Sequence, residues 1–207
     1  MTFLVGENGS GKSTLVEAIA VASGFSSEGG PIGSELGRAP KASVSELGDM
    51  LLIDGGPNKP SGGFFLRAES FFNVAAMIDG LDLVEVYGGR PMRAQSHGES
   101  FLALASNRFG PNGLFIFDEP EAALSITSQL AFIALMHRSA GMGSQFIVAT
   151  HSPILLGYPD AAVYEASEDG LERIDAEDAD AVRLTRDFMR APERFLRHLF
   201  ADTESAE

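Results

Sequence analysis

The segment that most limits how this chain can fold is Gly6-Glu7-Asn8-Gly9-Ser10-Gly11-Lys12-Ser13, followed by Thr14. Its spacing, G-x-x-x-x-G-K-[ST], points to a phosphate-binding loop where a strand leads in and a helix leads out. Both flanks comply. Residues 2–5 are a short apolar run ending in glycine, and residues 12–22 carry apolar positions at helical spacing. Glycines let the main chain curl so that successive N–H groups face a phosphate, and the positive end of the following helix adds attraction. Lys12 is expected to reach the β and γ phosphates, and the Ser13 hydroxyl to take one Mg²⁺ coordination position.

Downstream, the pattern alternates between strands and helices. Residues 64–68 and 113–117 read as buried strands, 70–81 and 96–107 as helices, 122–137 as a helix, and 145–150 as another buried strand. Such alternation predicts an α/β domain with a mainly parallel sheet flanked by helices. At 207 residues the chain fits one domain. Residues 24–63, rich in Gly, Pro and Ser, read as a surface insert containing one strand at Met50-Leu51-Leu52-Ile53. Residues 162–165 and 171–174 around Asp169-Gly170 predict a hairpin with a primed turn at the sheet edge. Helices are expected over 181–189 and from Pro192 to Phe200, with Leu184, Phe188, Phe195, Leu199 and Phe200 facing the core. Arg183, Arg186, Arg190, Arg194 and Arg197 recur at helical intervals and read as a solvated face paired with Asp187, Glu193 and neighbouring acids, with a phosphate- or partner-docking strip as the alternative.

A buried strand ending in Asp118-Glu119-Pro120 delivers two acids to the C-terminal edge of the sheet, where open α/β folds bind ligands. Two adjacent buried acids need compensation. A Mg²⁺ near Asp118 supplies it, leaving Glu119 to take a proton from, or orient, an attacking water. His151 follows the next apolar strand and is placed to hydrogen-bond a γ-phosphate oxygen. His137 and His198 lie in helical stretches and receive no role.

Composition narrows the classes. With 29 Asp plus Glu against 15 Lys plus Arg the net charge is −14, which opposes general adhesion to nucleic acid or anionic membranes. Six arginines against 14 acids from Asp160 onward place over half of that charge in the last quarter. The absence of cysteine excludes disulfides, thiolate zinc sites, iron–sulfur clusters and cysteine nucleophiles. Without a long apolar run or a signal core, the expectation is a cytoplasmic protein that does not insert in a membrane.

Together these segments resemble the ATP-binding-cassette (ABC) ATPases, and in particular their soluble branch related to chromosome-maintenance and DNA-repair ATPases. Residues 6–14 are similar to the family's Walker A loop and residues 115–120 to its Walker B strand with catalytic glutamate. Thr150-His151-Ser152 resembles the switch-histidine segment. Ser96-His97-Gly98-Glu99-Ser100, 22 residues before Asp118, is similar to the signature motif, with Gln95 and His97 departing from its usual form.

The resemblance implies a P-loop NTPase fold, with ATP and Mg²⁺ as nucleotide and cofactor. It also implies a homodimer that sandwiches ATP, with Ser96, Gly98 and Glu99 meeting the γ phosphate held by the opposite subunit. Read from the residues alone, Ser96 with Glu99 is a capping box. Glu69 stands where the family carries a Mg²⁺-sensing glutamine, and is equally readable as a surface acid. Glu121-Ala122-Ala123-Leu124-Ser125 resembles the D-loop, with Ser125 replacing its aspartate. The family's upstream strands and adenine-stacking aromatic are missing before Gly6, which suggests a shortened member. The catalytic set implied is therefore Glu119, His151 and Lys12, with Ser13, Asp118 and Glu69 for the metal. Hydrolysis of ATP by a dimer is the leading expectation; an ATP-gated module with negligible turnover and a transporter subunit are the alternatives. A protein or DNA partner is left open.

Overall fold

The computed structural model describes residues 1–33, 47–54, 59–68, 71, 91 and 94–204. Among these, seven strands form one sheet in the order β2-β3-β4-β5-β1-β6-β7. They are β1 (Thr2–Val5), β2 (Gly30–Pro31), β3 (Gly62–Arg67), β4 (Gly113–Asp118), β5 (Gln145–Ala149), β6 (Ala162–Ser167) and β7 (Gly170–Ile174). The five strands from β3 to β6 in that order run parallel, and short antiparallel strands close both edges. The expected α/β architecture, with helices on the sheet and a hairpin at its edge, is the one observed.

β4 is buried along its whole length because both its faces are covered. Leu114 and Ile116 point toward α1 (Lys12–Ala22), joining Leu4, Val16, Ala20, Phe25 and Phe65. Phe115 and Phe117 point the other way, against α3 (His97–Arg108) and α4 (Ile126–Ala140). On that side Phe117 and Phe132 meet edge-on at 5.2 Å, and Phe101 and Phe132 at 5.4 Å. The opposed orientation brings the positive edge of one ring to the face of the other. Period-two alternation therefore sorts one strand's side chains into two cores.

Several expectations are corrected. Met50-Leu51-Leu52-Ile53 is not a strand: α2 (Leu47–Met50) is a short helix, and Leu52 behind it is almost fully exposed. Part of the supposed surface insert belongs to the body, since Phe25 is buried and Gly30–Pro31 pairs with β3. The helix expected from residue 122 begins at Ile126, because a 3₁₀ turn over Pro120–Ala123 comes first and Ser125 caps α4 through the Ser128 N–H. The edge hairpin turns at Glu168 and Asp169, with Ser167 opposite Gly170. Only Gly170, at φ 121°, has positive φ there, so the turn is not a primed one. The helix expected over 70–81 lies outside the described residues, apart from Phe71.

The C-terminal helices α6 (Asp180–Arg190) and α7 (Pro192–Glu204) form as expected, with Pro192 opening the second. Between β5 and β6 lies the single turn α5 (Pro153–Leu156). The apolar residues of α6 and α7 do not face the core: Leu184, Phe188, Leu199 and Phe200 are exposed and Phe195 is half-buried. Only the start of α6 is anchored, where Ala179, Ala181 and Val182 pack on the phenylalanine core.

Candidate functional site

Register brings the candidate residues together. Arg67, Asp118, Ala149 and Leu4 are partners in successive parallel strand pairs, so they form one row across β3, β4, β5 and β1. The segments leaving the sheet just beyond that row carry Gly6, Glu119 and His151. Three strand ends scattered along the chain thus share one edge.

At the end of β1, Gly6 has φ 138°, and a Cβ there would lie 2.4 Å from the Ala166 carbonyl oxygen. No other residue fits that close approach of two backbones. Gly9 and Gly11, at φ 85° and 88°, complete the curl. Gly11 precedes α1 without a side-chain cap, leaving the helix's first N–H groups to another acceptor. The Ser10 hydroxyl is buried without a hydrogen-bond partner. Glu7, Asn8, Gly9 and Thr14 are exposed around the loop.

Lys12 is only 5% exposed, and its ammonium donates to the carbonyl oxygens of Gly6 (2.9 Å) and Glu7 (2.8 Å). Burial holds its pKa below the ordinary lysine value, and the charges of Glu119, Asp118 and Glu121 partly oppose that shift. These features fit a phosphate group: a curled loop, uncapped N–H groups, an unpartnered hydroxyl and a lysine folded into its own loop.

Ser13 links the loop to β4, its hydroxyl donating to Asp118 Oδ1 at 3.1 Å across 105 residues of sequence. Arg67 approaches the other oxygen of Asp118 at 3.5 Å through Nε and donates to Glu17 Oε2 at 2.8 Å through Nη1. The two carboxylates are thereby bridged by one guanidinium. Oxygen donors from Ser13 and Asp118 are the hard ligands that suit Mg²⁺. Among the described residues, no group of three His, Cys, Asp or Glu could hold a metal by itself. A metal held by Ser13 and Asp118 would take its remaining oxygens from other ligands. Glu69 lies outside the described residues.

Glu119 occupies the left-handed region, φ 51° and ψ 51°, while its N–H donates to the Ala149 carbonyl at 2.9 Å. A non-glycine residue there costs about 1–3 kcal/mol unless its surroundings enforce it, and such outliers cluster at functional sites. The turn aims the side chain at His151, whose Nε2 lies 3.6 Å from Glu119 Oε1. The His151 N–H donates to Glu121 Oε1 at 2.6 Å. Ser152 Oγ donates to Gln129 Oε1 at 2.5 Å, and Gln129 Nε2 donates to the Leu124 carbonyl at 3.1 Å. The histidine segment is thus tied to the start of α4.

A cleft of about 350 Å³ is lined by Ser13, Arg67, Phe71, His97, Asp118 and Glu119, among others. His97 reaches it, whereas Ser96, Gly98 and Glu99 are not among its lining residues. Ser96 and Glu99 form the capping box: the Ser96 N–H donates to Glu99 Oε2 at 2.9 Å, and the Glu99 N–H donates to Ser96 Oγ at 3.4 Å. Gly98 lies against the start of α4, where an added Cβ would be 3.1 Å from Ser128 Oγ.

Arg67, Glu17 and Gln129 escaped the sequence reading, and Glu121, read there only as the start of a D-loop-like segment, was not expected to hold the histidine segment. A signal existed for Glu17, which lies one helical turn beyond Ser13. Arg67 had none, because its place beside Asp118 is a matter of strand pairing. His137, assigned no role, lies with Nδ1 3.0 Å from the Tyr158 hydroxyl.

Residues 1–71 match a family model described as "AAA domain, putative AbiEii toxin, Type IV TA system". No curated protein matches the chain. Among solved structures, it is similar to an SMC head bound to the C-winged helix domain of ScpA, at 16% identity and TM-score 0.48, covering 86% of this chain and 91% of that one. It is also similar to the SMC head domain from Thermotoga maritima, at 16% identity and TM-score 0.45, covering 84% and 89% respectively. Among the described residues no helix is long and apolar enough to cross a membrane.

Proposed function

We propose that this chain, similar to the ABC-type ATPases related to chromosome maintenance, binds ATP with Mg²⁺ on the phosphate loop and hydrolyses it. One observation carries the reading: the Ser13–Asp118 hydrogen bond at 3.1 Å joins the phosphate loop to the strand that ends in Glu119. A phosphate cradle, hard oxygen ligands and a strained carboxylate thereby share one sheet edge.

In this mechanism Lys12 exchanges the Gly6 and Glu7 carbonyls for phosphate oxygens. Ser13 and Asp118 would hold Mg²⁺, which when bound neutralises charge on the triphosphate. Glu119 orients the attacking water and accepts its proton. His151, held by Glu121, keeps the glutamate's carboxylate in place and offers a hydrogen bond to the γ phosphate. Two copies closing over two nucleotides would present the N-terminus of α3, with Ser96, Gly98 and Glu99, to the other copy's nucleotide.

Glu119→Gln removes the base while keeping shape, so turnover should fall about a hundredfold or more with nucleotide binding retained. Lys12→Ala should lose nucleotide binding itself. Phosphate release and fluorescent-nucleotide titration measure the two effects, and unchanged hydrolysis in both variants would refute the proposal.

A second reading, nucleotide-gated association with negligible turnover, has its own observation. Ser96 and Glu99 already satisfy one another within one copy and do not line the cleft. Phosphate release at saturating ATP separates the readings, because steady turnover excludes the second.

A further inference from the structure

Beyond its first two turns, α6 leaves the body of the protein. None of its residues is fully buried, and Leu184, Met189, Leu199 and Phe200 on the two C-terminal helices are 52%, 72%, 62% and 62% exposed. Isolated exposed leucines need no explanation, but apolar residues grouped on one pair of helices mark an interaction surface. Phe188 and Phe195 meet edge to face at 5.9 Å across the break at Ala191, which holds the two helices at a fixed angle.

Between the helices runs a groove of about 610 Å³ lined by Arg190, Arg194, Phe195, His198 and Leu199, and by Ala191 and Asp187. The Asp187 carboxylate is engaged by Arg186 Nε at 3.8 Å. Among the described residues, Arg190, Arg194 and His198 meet no carboxylate. The groove therefore combines an apolar floor with two arginines that form no ion pair among the described residues.

We propose that this groove docks an acidic amphipathic helix of a partner protein. Such a helix lays its apolar face on Ala191, Phe195 and Leu199 and sets its carboxylates against Arg190 and Arg194. Duplex nucleic acid would use the arginines but leave the apolar floor wet. A second copy laying this same face against it would set Arg190 and Arg194 opposite like charges. The occupant sits at the far end of a helix whose beginning, through Asp180, Ala181, Leu184 and Thr185, borders Gly6, Glu7 and Asn8.

The test uses the full chain without nucleotide and a labelled synthetic peptide in which glutamates flank leucines at helical spacing. Fluorescence anisotropy should show saturable binding that weakens with salt. Arg190→Glu with Arg194→Glu should weaken it about tenfold or more, and Leu199→Ser likewise. All three positions are exposed, so thermal melting of the variants should match that of the parent chain. The lysine-for-glutamate peptide should not bind. Absence of saturable binding, or equal binding of the lysine peptide, would overturn the proposal. So would duplex DNA binding lost on the same substitutions, or self-association through this face, seen by light scattering, that the peptide cannot compete away.

Discussion

Lys12 shows how much of this site turns on a single side chain. Burial lowers its pKa below the ordinary 10.5, so the unfolded chain holds that proton more tightly than the folded one. The charged lysine therefore costs the nucleotide-free fold stability at neutral pH. That cost is relieved as pH climbs through the lowered pKa toward 10.5. For a ligand the sign reverses, because a triphosphate needs the ammonium. Nucleotide affinity should fall on the alkaline side at a pH below that of an ordinary lysine, and Lys12→Arg, which cannot lose its charge, should flatten the profile. Fluorescent-nucleotide titrations across pH read both outcomes.

At this scale the phosphate loop, Asp118, Glu119 and His151 were legible in the sequence, because each sits in a local pattern of apolar run followed by polar punctuation. Arg67 was not, since what places it against Asp118 is the pairing of β3 with β4 and not anything near residue 67.

At the scale of elements, the tightest constraint is the contact between β3 and β4 beneath α1. A Cβ at Gly63 would sit 2.2 Å from the Leu114 carbonyl oxygen and 2.9 Å from Phe25 Cζ, whereas one at Gly62 would meet nothing within 4 Å. Gly63→Ala should therefore destabilise the fold by about 1–3 kcal/mol while Gly62→Ala leaves this contact intact. Urea unfolding of the pair measures the difference.

Strands with both faces covered were read well, since unbroken apolar runs have few other uses. Helix starts were read less well. The run expected to begin at residue 122 starts at Ile126, because the chain first makes the 3₁₀ turn that holds Glu119 in its strained conformation. The same apolar logic failed for Met50–Ile53 and for the helices α6 and α7. An apolar residue announces that it gains from burial, but not which surface provides it.

For the whole molecule, the proposed cycle requires nucleotide to change the association state. Glu119→Gln with ATP and Mg²⁺ should double in mass by light scattering and return to monomer when Mg²⁺ is chelated. Addition of Lys12→Ala to that variant should abolish the change. A constant mass in every condition would remove closure between copies from the mechanism while leaving hydrolysis to be measured separately.

The amino-acid sequence by itself determined the chemistry on offer and the order of strands and helices, because backbone curl, apolar periodicity and strand-end acids are properties of a few consecutive residues. Only the tertiary structure decided which of those residues meet. Strand order and register place Leu4, Ala149, Asp118 and Arg67 in one row, and the packing of α6 by its first turns alone leaves its apolar remainder exposed. Both depend on which surfaces bury one another, a choice made between segments far apart along the chain.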